Sequence, residues 1–139
     1  MNLVVDCSFI MSSLLPDEKE QKIAEIYYQI AENKYKVYVP AIFYLECTNV
    51  LLSSLKRKRI NKETYEEYIN LLSLLPINVD NFSATPESLY SISKLSTTYN
   101  LTSYDASYLN LAIRIEASIA TLDKNLTTVC RLAKIKLEI

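Results

Sequence analysis

The sequence predicts a three-layer α/β/α domain with a central, mainly parallel sheet of about four to five short strands. Three observations predict it. Short apolar, β-branched runs alternate with longer amphipathic segments along all 139 residues, which implies right-handed crossovers between parallel strands covered by helices on both faces. Half of the residues are hydrophobic and 22% are charged, an ordinary globular balance far from that of disorder. The length suits one continuous core and leaves no room for two, so residues 1–139 read as a single domain.

The elements follow in order. Leu3-Val4-Val5 is a buried first strand ended by Asp6, after which Ser8 caps a brief helix that Pro16-Asp17 breaks. Residues 18–34 form an amphipathic helix with Ile23, Ile26, Tyr27, Ile30 and Ala31 on one face. Val37-Tyr38-Val39 is a second strand, and Pro40 suits the first turn of a long helix over 41–58. Residues 62–74 make another helix and Ile77-Asn78-Val79 a strand, and the helix of residues 86–99 is entered at Thr85-Pro86-Glu87. A helix over 104–116 begins with Asp105 in its first turn. Ile119-Ala120-Thr121-Leu122 is a strand ending in Asp123, then 124–133 is helical and 135–139 a last strand.

Composition excludes several kinds of chemistry. The chain has no histidine, which removes the usual general base, the usual zinc nitrogen ligand and every Ser-His-Asp or Cys-His arrangement. It has no glycine, which removes the phosphate-cradling loops of nucleotide-cofactor sites. Cys7, Cys47 and Cys130 are odd in number and widely spaced, fitting neither a disulfide framework nor a zinc motif and pointing to a reducing compartment. There is no signal-like N-terminus and no apolar run of membrane-spanning length, so a cytoplasmic protein is expected. With a net charge of −1, any contact with nucleic acid must come from a local patch.

Four carboxylates stand out. Asp6 and Asp123 each follow a hydrophobic strand, and the carboxyl ends of parallel strands are where such sheets bind ligands. Glu46 shares its helix face with Ile42 and Val50, and Asp105 with Leu101 and Leu109, so both are set on apolar stripes where a lone charge is costly. An aspartate after a strand is often only a cap or turn former. Four carboxylates at one sheet edge, however, repel one another unless a cation compensates, and Mg²⁺ or Mn²⁺ suits hard oxygen ligands.

These residues carry a family likeness. Asp6-Cys7-Ser8 after the first strand, Pro40-Ala41-Ile42-Phe43-Tyr44-Leu45-Glu46 with Asn49, Leu101-Thr102-Ser103-Tyr104-Asp105-Ala106, and Ala120-Thr121-Leu122-Asp123-Lys124-Asn125-Leu126 together resemble the PIN-domain nucleases. The short single-domain form is similar to the VapC-type toxins of prokaryotic toxin-antitoxin pairs. The resemblance implies a magnesium- or manganese-dependent endoribonuclease leaving 5′-phosphate ends, homodimerisation, and a small antitoxin that blocks the acidic groove. It assigns Asp6, Glu46, Asp105 and Asp123 to catalysis and metal binding, and Ser8, Asn49 and Thr121 to polar support.

Other features are open to two readings. Lys56-Arg57-Lys58-Arg59 closes the long helix, where cations favour the dipole, and four basic residues also suit an RNA backbone. Tyr27, Tyr28, Tyr44 and Tyr104 belong to a set of eleven tyrosines that read as core or dimer interface rather than base-stacking surface. Rival functions are a catalytically silent interaction module and a stand-alone RNA-processing nuclease. An aspartyl phosphatase is disfavoured because Ser8 stands where the second aspartate belongs, and a receiver domain because no mid-chain aspartate ends a strand in the required place.

Overall fold

The computed structural model describes residues 1–14 and 21–139. Strands β1 (Asn2–Val5), β2 (Lys36–Pro40), β3 (Ile77–Asp80) and β4 (Ser118–Ala120) form one sheet in the order β3-β2-β1-β4, and every pairing is parallel. Among the described residues seven α-helices connect and cover it: α1 (Cys7–Leu14), α2 (Gln21–Ala31), α3 (Phe43–Lys56), α4 (Lys62–Leu74), α5 (Ser88–Tyr99), α6 (Ser103–Arg114) and α7 (Lys124–Leu132). Leu3, Val4 and Val5 are all fully buried. Successive strand side chains point to opposite faces, so both faces of the sheet are covered.

The topology sets the position of the site. From β1 the chain steps outward to β2 and β3, then returns across the sheet to β4 on the other side of β1. The switch point therefore lies between the carboxyl ends of β1 and β4, where parallel sheets open a crevice. Asp6 and residues 121–123 leave the sheet there, and the Asp6 N–H still donates to the Ala120 carbonyl at 3.3 Å.

Helix α6 lies against β1 and β2, and the run from Ala106 through Ala112 is buried throughout. The polar members of that run are satisfied. The Ser107 hydroxyl donates to the Tyr104 carbonyl at 2.6 Å, and Asn110 Oδ1 accepts from Arg114 Nε at 2.8 Å. Arg114 also clamps Asp80 at the end of β3 through both terminal nitrogens, at 2.8 and 3.2 Å, and its guanidinium lies 4.3 Å from the centroid of the Phe82 ring. This bidentate pair holds the Asp80 carboxyl below the usual carboxylate range.

The absence of glycine has a visible consequence. Helices commonly end on a left-handed residue, normally glycine. Here Asn33, Lys58, Asn100, Glu116 and Lys134 take that conformation, with φ between 53° and 59°, just past the ends of α2, α3, α5, α6 and α7. Helix α4 ends without such a residue, turning extended at Leu75 before Pro76.

Several boundaries differ from expectation. Pro40 does not open the long helix. It is the last residue of β2, in register with Asp80, and α3 starts at Phe43 after a turn. Ser8 was expected to cap the first helix, but the Asp6 carboxylate does so, accepting the Phe9 N–H at 3.0 Å. The fourth strand stops at Ala120, because Thr121 turns its hydroxyl to donate to the Asp6 carboxylate and to accept the Asp123 N–H. The final strand over 135–139 is reduced to one bridge, Ile119 with Leu137, since three-residue β4 offers only a short edge. The break at Pro16-Asp17 and the expected helix start at residue 18 lie outside the described residues.

Candidate metal-binding active site

Each carboxylate of the quartet is delivered by the start of a helix. Asp6 directly precedes α1 and Asp123 is the N-cap of α7, while Glu46 and Asp105 lie in the first turns of α3 and α6. Helix N-termini carry partial positive charge, which lowers the cost of gathering anions there.

Asp6 is the most enclosed of the four, with only 5% of its surface exposed. Its Oδ1 accepts from the Ser8 hydroxyl at 2.7 Å and from the Phe9 N–H, and its Oδ2 accepts from the Thr121 hydroxyl. Thr121 Oγ1 in turn accepts the Asp123 N–H at 3.0 Å, and Ser8 Oγ accepts the Leu122 N–H at 2.9 Å. Ser8 and Thr121 thus tie the carboxyl ends of β1 and β4 together around Asp6. Asp123 uses Oδ1 to cap α7 through the Leu126 N–H at 2.7 Å.

Glu46 and Asp105 are half-buried. The core stripe of α3 is Phe43, Cys47 and Leu51, and Val50 is 36% exposed. Glu46 therefore stands at the border of the core rather than on an apolar stripe, because the buried face of α3 runs one residue further on. Its Oε1 accepts from the Tyr108 hydroxyl at 2.7 Å. Sequence reading missed Tyr108. The available signal was its place three residues after Asp105, on the same face of α6. At Asp105 the partner is Thr102, which caps α6 by accepting the Asp105 N–H at 3.1 Å and whose side-chain hydrogen bond partly offsets the rise of the Asp105 carboxyl.

The cluster is electrostatically strained. Burial, above all, pushes the Asp6, Glu46 and Asp105 carboxyls above their ordinary values, against the hydrogen bonds they receive. Asp123 adds to the rise of Asp6 and Asp105, and Asp105 and Asp6 to that of Glu46. Among the described residues no lysine or arginine forms an ion pair with any of the four.

Clustered carboxylates without a cation, held by hydroxyl donors, are a donor set that fits a hard divalent ion. Among the described residues no three acidic or thiol side chains close tightly enough to enclose an ion alone.

The remaining sequence candidates lie outside this cluster. Asn49 is exposed one turn beyond Glu46 and joins none of the cluster's hydrogen bonds. Lys56, Arg57, Lys58 and Arg59 are exposed at the far end of α3, about 15 Å from Glu46 by helical rise. Tyr104 is 57% exposed beside Asp105, and Tyr28 is 65% exposed, whereas Tyr27 and Tyr44 are half-buried.

The model of the PIN domain matches residues 3–132 of this chain. The chain belongs to the PIN-domain family. PIN domains are nucleases, and all four carboxylates lie within the matched span. Solved structures share the fold at low sequence identity. A chain of VapBC2 from Rickettsia felis, solved bound to a DNA fragment from its promoter, superposes with a TM-score of 0.69 at 13% identity, covering 99% of this chain and 97% of that one. PAE2754 from Pyrobaculum aerophilum gives 0.67 at 20%, covering 96% and 90%. FitAcB from Neisseria gonorrhoeae gives 0.64 at 19%, covering 97% and 95%. No curated protein matches this PIN domain in sequence.

Proposed function

We propose that this PIN domain is a divalent-metal-dependent endoribonuclease and the toxin of a VapBC-type toxin-antitoxin pair, acting in the cytoplasm as a homodimer. The observation that carries the nuclease reading is the gathering of buried Asp6 with half-buried Glu46, Asp105 and Asp123 near the β1/β4 switch point of a PIN fold, with no lysine or arginine paired to any of them among the described residues. The toxin reading is supported by likeness over nearly the whole chain to chains of VapBC2 and FitAcB, with a small antitoxin as the corresponding partner here. Among the described residues no helix is long and apolar enough to cross a membrane.

Asp6, Asp105 and Asp123 would hold Mg²⁺ or Mn²⁺, with Glu46 either a further ligand or the group that orients the attacking water. Bound metal supplies a water of lowered pKa and neutralises charge on the phosphate oxygens. Ser8 and Thr121 hold the Asp6 carboxylate in one orientation. Tyr108 fixes Glu46 Oε1 and leaves Oε2 to accept the proton of water directed at phosphorus in line with the leaving oxygen. Protein groups thus position and take up the proton, and RNA ends with a 5′-phosphate.

Cleavage of a structured RNA, a tRNA or an rRNA fragment, tests the reading with Mg²⁺ or Mn²⁺ beside EDTA and Asp6→Asn controls. Metal-dependent cuts lost in both controls are expected. Cleavage that persists in EDTA, or in Asp6→Asn, sinks the assignment of the quartet.

A further inference from the structure

Beside the acids lies a groove of about 620 Å³, walled by the start of α3, the turn at residues 82–84, α5 and the start of α6. That size is typical of small-molecule sites. Leu45 and Tyr104 line it and directly precede Glu46 and Asp105, so it opens next to the carboxylates. Leu45, Leu89 and Tyr104 are 68%, 72% and 57% exposed, and Ile92 is buried at the groove.

Among the described residues no charged side chain lines this groove. A phosphate finds no partner in it, whereas a flat, uncharged ring finds apolar walls and an exposed tyrosine. Ser96 also lines it, and the Ser96 Oγ is buried with no hydrogen-bond partner among the described residues. An unpaired buried hydroxyl is costly, so a ligand that offers it a partner relieves that cost.

We propose that this groove is the subsite for an unpaired nucleobase adjoining the scissile phosphate, stacked on Tyr104 between Leu45 and Leu89. The proposal rests on the nuclease reading and narrows its substrate to single-stranded or looped RNA. A base within a duplex has both faces covered, and only an unstacked one can enter. Tyrosine before Asp105 then serves recognition, not core or dimer packing.

The test uses short single-stranded RNA oligonucleotides, intact or with one abasic position scanned across the cut. Binding is read by fluorescence anisotropy with Ca²⁺ in place of Mn²⁺, and cleavage by KM and kcat in Mn²⁺, for wild type, Tyr104→Phe and Tyr104→Ala. Removing one particular base weakens wild-type binding roughly 10- to 100-fold, the range of stacking on an aromatic side chain. Tyr104→Phe keeps that dependence; Tyr104→Ala loses the same affinity for intact RNA and no longer notices the missing base.

Equal losses from the abasic substitution in wild type and Tyr104→Ala overturn the subsite, as does a wild type indifferent to every base. A wild-type dimer that Leu89→Glu splits with base discrimination unchanged gives the groove to a second copy of the chain and also overturns it. Metal-dependent cleavage without base discrimination refutes the subsite and spares the nuclease. Base-dependent binding without metal-dependent cleavage refutes the nuclease and spares the subsite.

Discussion

Replacing Asp6 by asparagine is expected to stabilise the metal-free protein while abolishing its response to Mn²⁺. Asp6 is 5% exposed and its carboxyl is raised, with burial outweighing the hydrogen bonds from Ser8, Thr121 and the Phe9 N–H. A raised carboxyl pKa means that the folded protein holds the neutral form better than the charged one, at about 1.4 kcal/mol for each unit. Asparagine keeps one oxygen for the Phe9 N–H and turns its amide to Thr121, whose hydroxyl must then accept. Exchanging charged for neutral hydrogen bonds costs about 1 kcal/mol each, but those bonds already lose to burial in the native protein. The net effect is therefore stabilising, read as a Tm in EDTA above that of wild type. Wild type should instead gain about 2.7 kcal/mol from Mn²⁺ at a hundred times its Kd. Thermal melts of both proteins in EDTA and in Mn²⁺ measure each quantity. An Asp6→Asn protein that melts below wild type in EDTA refutes the burial argument, and one with an undiminished Mn²⁺ shift refutes the site.

Three further outcomes are expected. Asp6, Glu46 and Asp105 are all raised, so the folded, metal-free protein binds more protons than the unfolded chain between the ordinary carboxylate pKa of about 4 and the raised values. Its Tm should therefore rise as pH falls from neutrality through that window, whereas Asp80, which is depressed, opposes this only below the ordinary range; saturating Mn²⁺ reverses the slope, because ligands must be deprotonated, and a series of melts against pH checks both signs. Tyr108→Phe removes the donor to Glu46 Oε1 and should weaken Mn²⁺ affinity or kcat about 10- to 100-fold, as loss of a ligand's orienting partner does, with a stability cost of about 1 kcal/mol because Glu46 is half-exposed; unchanged Mn²⁺ titration and turnover would remove Tyr108 from the site. Glu116→Gly, at φ 54°, should stabilise by roughly 0.5–1 kcal/mol, seen as a higher urea midpoint at unchanged m-value.

Much of the architecture was legible because local pattern and burial agree. Leu3-Val4-Val5 and Val37-Tyr38-Val39 are strands because β-branched runs fill a covered sheet, and the parallel order follows from the helices between them. Boundaries were less legible where a tertiary partner decided them. Pro40 is compatible with a strand end or a helix start, and its register with Asp80 chose the strand. Thr121 reads as a strand residue, but the attraction of its hydroxyl to Asp6 and Asp123 draws it out of the ladder.

By itself, the sequence determined the chemistry open to this protein. With no histidine and no glycine, carboxylates were the side chains left to carry the proposed chemistry, and four candidates could be singled out from their positions at strand ends and helix starts. Only the tertiary structure decided how they are held. The return of β4 beside β1 brings Thr121 to Asp6 across 115 residues, and the packing of α6 brings Tyr108 to Glu46 across 62. It also opened the uncharged groove between α3, α5 and α6, whose α3 wall is more than forty residues from its α5 and α6 walls in the sequence. Local periodicity records which face of a helix is buried, but it carries no information about which distant side chain that face will meet.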